Sequence, residues 1–300
     1  MNAAADFRCG FVAVVGRPNV GKSTLINALL GSKVSIVTPK PQTTRHRILG
    51  VYSDSAYQAV FVDTPGLHRS SGKAMNRMMN RTATAALADA DVVLFVSEAG
   101  RFREEDGDVI KRLADAGRPT IAVLNKIDLV APRTRVLESI AAMANRHGFA
   151  EIVPLSARRK ENLDSLLQTL SKYLPKSPPL FPTDMLTDRS ETFRMAEIIR
   201  EKLTLNLRDE LPYGLTVQIE RAESKDDRLN IDALIWVERD SQKGIVVGKG
   251  GSMLKTVGRS ARIDISRQLG IPVHLELWVK VKDNWANNEK DLQSLGYETP

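Results

Sequence analysis

Gly16-Arg17-Pro18-Asn19-Val20-Gly21-Lys22-Ser23 decides the fold of the first half of the chain. The stretch meets the spacing GxxxxGK[ST], in which a glycine-rich turn cradles phosphates, the lysine reaches the β- and γ-phosphates and the hydroxyl binds Mg²⁺. Phe11 to Val15 before it is an apolar, β-rich run. Thr24 to Leu30 after it carries apolar residues at helical spacing, with Gly31 placed to stop the helix. A strand thus feeds a turn that opens a helix. Such a turn aims backbone N–H groups and the positive end of a helix dipole at an anion. The competing reading, a chance match in an ordinary strand–helix turn, has both flanks against it.

Three further motifs follow. Asp63-Thr64-Pro65-Gly66 ends the apolar run Ala59 to Val62. A carboxylate there can hold Mg²⁺, and the Gly66 N–H can sense a γ-phosphate because no side chain blocks its approach. Asn125-Lys126-Ile127-Asp128 follows Ile121 to Leu124. The Asp128 carboxylate can accept two hydrogen bonds from guanine, at the ring N–H and the exocyclic amine, where adenine offers neither donor. Charge-assisted bonds of this kind are worth roughly 1.5–3 kcal/mol each, so losing both costs about two orders of magnitude in affinity. Ser156-Ala157 follows the short strand Ile152 to Leu155 and can offer a backbone N–H to the guanine oxygen. Each motif alone is weak; all four at strand ends, in this order, are a strong signal.

The set resembles the translation-factor-related GTPases. The resemblance implies that Gly16, Arg17, Pro18, Asn19, Val20, Gly21, Lys22, Ser23 and Thr24 surround the phosphates of GTP or GDP. It implies that Asp63 and Gly66 form the second switch, and that Asn125, Lys126, Asp128, Ser156 and Ala157 hold the base. A switch-I threonine should complete a Mg²⁺ site with Ser23 and Asp63; Thr44, next to Arg45, is read ahead of Thr43 for that role. Lys22, Thr44, Gly66 and Asn19 are the expected catalytic groups. In Ras-like enzymes a glutamine after the DxxG motif orients the attacking water. Here that position is Leu67, which cannot polarise water, and the nearest polar residue downstream is His68. Slow intrinsic hydrolysis is therefore expected. Relatives with asparagine at position 19 often bind a monovalent cation where an arginine finger would act, which makes K⁺ a candidate cofactor; the plainer alternative is that Asn19 only shapes the loop.

The 300 residues suggest two domains, and 42 % hydrophobic content is enough for real cores. Cys9 is the only cysteine, so no intrachain disulfide can form, which fits a reducing cytoplasm. No long apolar stretch precedes the first strand, which argues against a secretory signal, and no run is long enough to span a bilayer; weak peripheral association with the cytoplasmic face of a membrane stays open. The net charge is +7, but its distribution is uneven. Residues 188–300 hold 18 basic and 19 acidic side chains, against 25 and 17 in residues 1–187. A polyanionic partner of the second half must therefore meet a local patch.

Strands are expected at 11–15, 47–52, 57–62, 92–96, 120–124 and 151–155, alternating with helices at 23–30, 73–88, 104–116, 134–146 and 161–173. This alternation predicts an α/β, mostly parallel sheet with helices on both faces. Residues 47–62 leave no room for a crossover, so their two strands should pair antiparallel. Pro175, Pro178, Pro179 and Pro182 mark an extended linker. The expected organisation is a nucleotide-binding domain over 1–174, a linker over 175–188 and a smaller α+β domain over 189–300. In the last, a helix capped by Ser190 or Thr192 should carry Phe193, Ala196, Ile199, Leu203 and Leu207 on one face and end at Leu211-Pro212. Strands 215–220 and 229–237, a helical stretch to about Leu269, a strand at 273–281 and a short helix near 287–295 should follow.

Gly248-Lys249-Gly250-Gly251 is a GxxG loop expected between two short helices, one following the strand at 229–237 and one running on to about Leu269. With no Cβ in the way, a nucleic-acid backbone can approach, and the next helix offers N–H groups to phosphate; KH domains clamp about four nucleotides in this way. GxxG alone is most often a plain turn. Here the order of flanking elements is that of a KH domain, and Lys243, Lys249, Lys255, Arg259, Arg262 and Arg267 face only Asp264 within 243–267. The expected RNA contacts are Gly248, Lys249, Gly250, Gly251, Lys255 and Arg259. The alternative for the patch is a solvated helix face.

Taken with Gln42-Thr43-Thr44-Arg45, Ala196 to Leu203, Glu210 to Tyr213, Leu277 to Lys282 and Trp285, these motifs resemble the Era GTPases over nearly the whole chain. The resemblance implies a type II KH domain that binds the 3′ end of 16S ribosomal RNA, and a monomeric, GTP-switched role in maturation of the small (30S) ribosomal subunit. Arg158-Arg159-Lys160 is more basic than that family leads one to expect. The competing functions, both without RNA, are a GTPase whose second domain binds a protein partner or itself, and a GTPase bound to a membrane surface through the basic first half.

Overall fold

The computed structural model of the chain describes residues 6–66, 74–207, 211–225 and 227–297. Leu67 and His68, and so the water-positioning argument built on them, lie outside these. The first unit runs β1 (Arg8–Val15), α1 (Lys22–Leu30), β2 (Ile48–Ser53), β3 (Tyr57–Asp63), α2 (Ala74–Ala88), β4 (Val92–Glu98), α3 (Glu104–Ala116), β5 (Thr120–Asn125), α4 (Thr134–Ala144), β6 (Glu151–Pro154) and α5 (Leu163–Tyr173). Its six strands are ordered β2-β3-β1-β4-β5-β6. Only β2 is antiparallel, paired with β3.

The strands read as continuous apolar runs because both faces of the sheet are covered. Val12, Val14, Phe61, Leu94 and Val123 pack on Leu25 and Ile26 of α1 and Leu166 and Leu170 of α5. Their neighbours Ala13, Val15, Phe95 and Leu124 point the other way, onto Val109 and Leu113 of α3 and Met143 of α4. The motif loops consequently emerge together at the carboxyl ends of β1, β3, β5 and β6.

The second unit runs α6 (Glu191–Asn206), β7 (Leu215–Lys225), β8 (Arg228–Val237), α7 (Asp240–Val247), α8 (Ser252–Leu269), β9 (Val273–Val281) and α9 (Glu289–Ser294). Its sheet is β7-β8-β9, antiparallel then parallel. One face is buried under α6 and α8, with Ile199, Leu203, Ile231, Ile235, Val257 and Ile265 in the core. This is the smaller KH-type unit that follows the P-loop unit.

In the first unit β1 starts three residues before expectation, at Arg8, and α4 and α5 are each two residues shorter; three further differences lie in the second unit. Helix α6 stops at Asn206 and not at Leu211-Pro212, because Leu207 turns extended and buries its side chain in the core. Strand β7 continues to Lys225, since a bulge between Ile219 and Arg221 keeps the hairpin paired beyond Glu220. The closing helix is split, a 3₁₀ turn at Trp285–Asn287 preceding α9, whose start Asn288 caps through its side chain. Ser190, not Thr192, caps α6, accepting from the Phe193 N–H at 3.2 Å.

The two units touch through the segment between α1 and β2. Lys33 pairs with Glu201 at 2.6 Å, the Val37 N–H donates to the same carboxylate, and Lys40 donates to the Leu207 carbonyl. Arg45 donates to the Leu215 carbonyl, and His46 stacks on Tyr297. Met75, Met78 and Met79 of α2 pack on Trp285, Leu292 and Tyr297. The proline-rich segment is extended but pinned: Val51 donates to Leu186, Gly50 bridges Thr187, and Leu180 and Phe181 donate to Gln58 Oε1.

Candidate functional site

The turn after β1 needs a left-handed residue just before α1, and Gly21 supplies it at φ 100°; a Cβ there would meet Asn125 Nδ2 at 2.5 Å. Asn19 is also left-handed, at φ 64°, and exposed. Lys22 is buried, and its ammonium donates to the carbonyls of Gly16 and Arg17 at 2.9 and 3.2 Å. Burial lowers its pKa to about 8. A cleft runs along Pro18, Asn19 and Gly21 to Thr24, roofed by Ile36 to Thr44 and closed by Gly66.

Three oxygen ligands converge at one end of this cleft. Ser23 Oγ lies 2.9 Å from Asp63 Oδ2 and 3.0 Å from Thr44 Oγ1, and Thr44 Oγ1 lies 3.3 Å from the same carboxylate oxygen. Asp63 is fully buried, burial pushes its pKa up, and its Oδ1 has no hydrogen-bond partner among the described residues. A buried carboxylate with an orphaned oxygen beside two hydroxyls is a hard-oxygen set that fits Mg²⁺. Thr43 Oγ1 points away, to Thr38 Oγ1 at 2.6 Å and the Lys40 carbonyl at 2.7 Å. The structure thus brings Thr44, not Thr43, to Ser23 and Asp63.

At the other end, Asn125 ties three loops together. Its amide donates to the Val20 carbonyl at 2.9 Å, and its oxygen accepts from the N–H groups of Lys126 and Ala157. Asp128 is held by Ser156 Oγ at 2.6 Å. The N–H of Ser156 donates to Glu161, so both backbone donors of the Ser156-Ala157 pair have partners within the chain. Lys126, left-handed at φ 65°, donates to the Asn19 carbonyl at 2.8 Å.

Two residues the sequence singles out sit differently from expectation. The Arg17 side chain, expected around the phosphates, is buried between Asp106 and Glu98, and Arg159 of the basic run has its Nε 3.9 Å from Asp128. The acidic cluster Glu104-Glu105-Asp106 reads as a solvated helix start, and only its register on α3 distinguishes Asp106. The roof of the cleft is equally hidden, because a loop has no period to read.

In the second unit Gly248, Gly250 and Gly251 all have positive φ. A Cβ on Gly248 would meet Met253 Cβ at 2.8 Å, whereas a Cβ on Gly250 would have nothing within 4 Å. Lys249, Lys255 and Arg259 are exposed, and Arg262 continues the stripe one turn along α8. Ile245 and Ile263 are exposed beside it, while Val246 and Ile265 are core. Arg267 departs from the stripe, pairing with Asp264.

A family model described as a 50S ribosome-binding GTPase matches residues 11–126, and one described as a KH domain matches residues 210–286. The chain is 48 % identical over 291 residues to GTPase Era of Vibrio vulnificus, covering 96 % of this chain and 91 % of that protein. It is 49 % identical to GTPase Era of Vibrio cholerae, with coverage of 96 % and 90 %. Among solved structures it is similar to a point variant of Aquifex aeolicus Era bound to GDP and AlF4⁻, at TM-score 0.93 and 41 % identity, over 97 % of this chain and 99 % of that one. The same values hold for Era in complex with MgGDPNP and nucleotides 1506–1542 of 16S ribosomal RNA.

Proposed function

The chain belongs to the Era GTPase family, and from that membership we propose that it is a GTP-switched factor that binds the 3′ end of 16S ribosomal RNA and assists maturation of the 30S subunit. It is a P-loop GTPase that uses GTP, GDP and Mg²⁺. In our assignment residues 1–174 bind the nucleotide, 175–188 link, and 189–300 bind RNA. Gly16 to Thr24 and Gly66 take the phosphates, Ser23, Thr44 and Asp63 the Mg²⁺, and Asn125, Lys126 and Asp128 the base, with Ser156 and Ala157 at its edge, where they hold Asp128 and Asn125. When bound, the metal would offset charge on the β- and γ-phosphates. Lys22, already stripped of water, would meet the same charge without a further desolvation cost.

The observation that carries the RNA reading is the open GxxG loop continued by exposed Lys255 and Arg259. Gly248 to Gly251 would pass the sugar-phosphate backbone and the two cations would hold its charge. The test is crosslinking to 16S ribosomal RNA with and without GTP, mapping protein residues and RNA segment together. Crosslinks at Lys249 to Arg259 against the 3′ end are expected; crosslinks confined to residues 1–174 would refute the assignment. We also infer a monomer working in the cytoplasm. None of the described helices is long and apolar enough to cross a membrane, and any peripheral association would fall to the basic first unit. For hydrolysis we assign Asn19 to a K⁺ ion beside the β- and γ-phosphates. Turnover should then be faster in K⁺ than in Na⁺ at equal ionic strength, a difference that Asn19→Ala abolishes; equal rates would leave Asn19 with only its left-handed turn.

A further inference from the structure

The Arg17–Glu98 contact belongs to a network that joins the two ends of the nucleotide cleft. Glu98 is the last residue of β4, paired in register with Asn125. One of its oxygens accepts from Arg17 of the phosphate loop and from Lys126 of the base loop, each at 3.2 Å. Lys126 also donates to the Asn19 carbonyl, so the same ammonium touches the phosphate loop directly. From the other side Asp106, at the start of α3, accepts from Arg17 Nε at 3.0 Å and from the Arg103 N–H at 2.9 Å. Burial would raise the pKa of Glu98, but Lys126 and Arg17 outweigh it and hold the carboxyl below its ordinary range.

A carboxylate beside a polyanion site opposes the ligand unless its charge is neutralised by cations already there. Glu98 meets that condition twice. A lysine alone on a partly open surface keeps many rotamers and gives up that freedom on binding. Lys126, gripped between Glu98 and Asn19, has given it up beforehand.

We propose that Glu98 is a positioning residue for guanine-nucleotide affinity, acting through Lys126 and Arg17 to hold the base loop and the phosphate loop at the spacing of one nucleotide. The proposal rests on the nucleotide reading of the cleft. It requires that Glu98 affect binding of GDP and GTP alike, since the loops it joins meet parts common to both, and that it leave the chemical step alone.

The test uses the full chain and fluorescence titration of GDP and GTP. Glu98→Gln should weaken both by roughly 3- to 10-fold. Turnover at saturating GTP should stay within about twofold of the parent, and the preference for guanine over adenine should persist, because Asp128 is untouched. In a Lys126→Met background Glu98→Gln should add much less, since the two act as one unit. A purely architectural glutamate would lower melting temperature and add its full effect in either background. Parental affinity in folded Glu98→Gln protein, or full additivity with Lys126→Met, overturns the proposal. Should Glu98→Gln not fold, Glu98→Asp keeps the charge but falls a methylene short of both cations, and parental affinity there overturns it equally. A parent that binds no GDP would remove the nucleotide reading itself; a parent that binds, with variants indistinguishable from it, removes only the role of Glu98.

Discussion

Arg200 donates to the backbone carbonyl of Thr43, the residue immediately before Thr44, while Glu197 grips the same guanidinium through Nε and a terminal nitrogen at 2.6 Å each. Both partners are buried, and both lie on α6 of the second unit. The backbone that delivers Thr44 to Ser23 and Asp63 is therefore held from outside the nucleotide-binding unit.

Arg200→Met should cost about 3–5 kcal/mol, because it strands the Glu197 carboxylate in the interior. Arg200→Met combined with Glu197→Leu should regain much of that loss, since neither charge is then buried alone. Urea midpoints with unchanged slopes would report both numbers. A double variant no more stable than the single one would show that the pair is not what the interior misses.

Thr44→Ala should weaken the Mg²⁺-dependent binding of a GTP analogue and leave GDP affinity nearly intact, because only the γ-phosphate and metal draw on that hydroxyl. Thr43→Ala should cost little in either, its hydroxyl being engaged by Thr38 and Lys40. Titrations at stepped Mg²⁺ would separate the two, and the reverse pattern would shift the metal ligand by one residue.

Much of this is legible in the sequence, and for physical reasons. Five largely buried strands announce themselves as apolar runs, the short edge strand β6 less so because only Val153 in it is buried, and phosphate, metal and base contacts need particular residue types at strand ends. The choice of Thr44 over Thr43 rests on its place beside Arg45, and the structure puts the Thr44 hydroxyl, not that of Thr43, beside Ser23 and Asp63. Contacts between distant segments cannot be read in this way. Arg200 and Glu197 look like an ordinary i,i+3 pair on an amphipathic helix, and nothing local says that Thr43 lies against them. The end of α6 escapes for the same reason: Pro212 is the visible stop, but the burial of Leu207 ends the helix first.

Gly250→Asp should abolish RNA binding with the fold retained. Its Cβ would point into open space, and aspartate tolerates the φ of 59° better than most residues. Gly248→Ala should instead destabilise the second unit, through the clash with Met253. Lys255→Gln and Arg259→Gln should each flatten the salt dependence of RNA affinity by about one unit. Filter binding across a salt series, beside a thermal melt, would check all four. Parental RNA affinity in folded Gly250→Asp protein would end the KH interpretation.

His46 should give the protein a stability loss on mild acidification. Burial depresses its folded pKa to about 3, against 6.5 for the free side chain, with Phe193 edge-on and Tyr297 stacked. Above pH 6.5 the ring is neutral in both folded and unfolded chains and costs nothing. As pH falls below that value the unfolded chain takes up a proton that the folded one refuses, so stability drops by about 1.4 kcal/mol per unit, or about 2 kcal/mol by pH 5. His46→Gln should remove this slope between pH 6.5 and 5, whatever it does to stability at neutral pH. Chemical denaturation at several pH values would compare the slopes, and parallel curves would show that His46 is not the titrating group.

The pinned segment after Pro175 has a bearing on solubility. β2 is the terminal strand of the six-stranded sheet, and Val51 donates its N–H to Leu186 while Gly50 bridges Thr187. A bare outer strand of that kind invites another chain to add itself there. The residues between the two units thus act as a sheath over the rim of the first. A chain cut after Tyr173 would lose the sheath along with the second unit, leaving Leu49 and Val51 on an edge open to self-association.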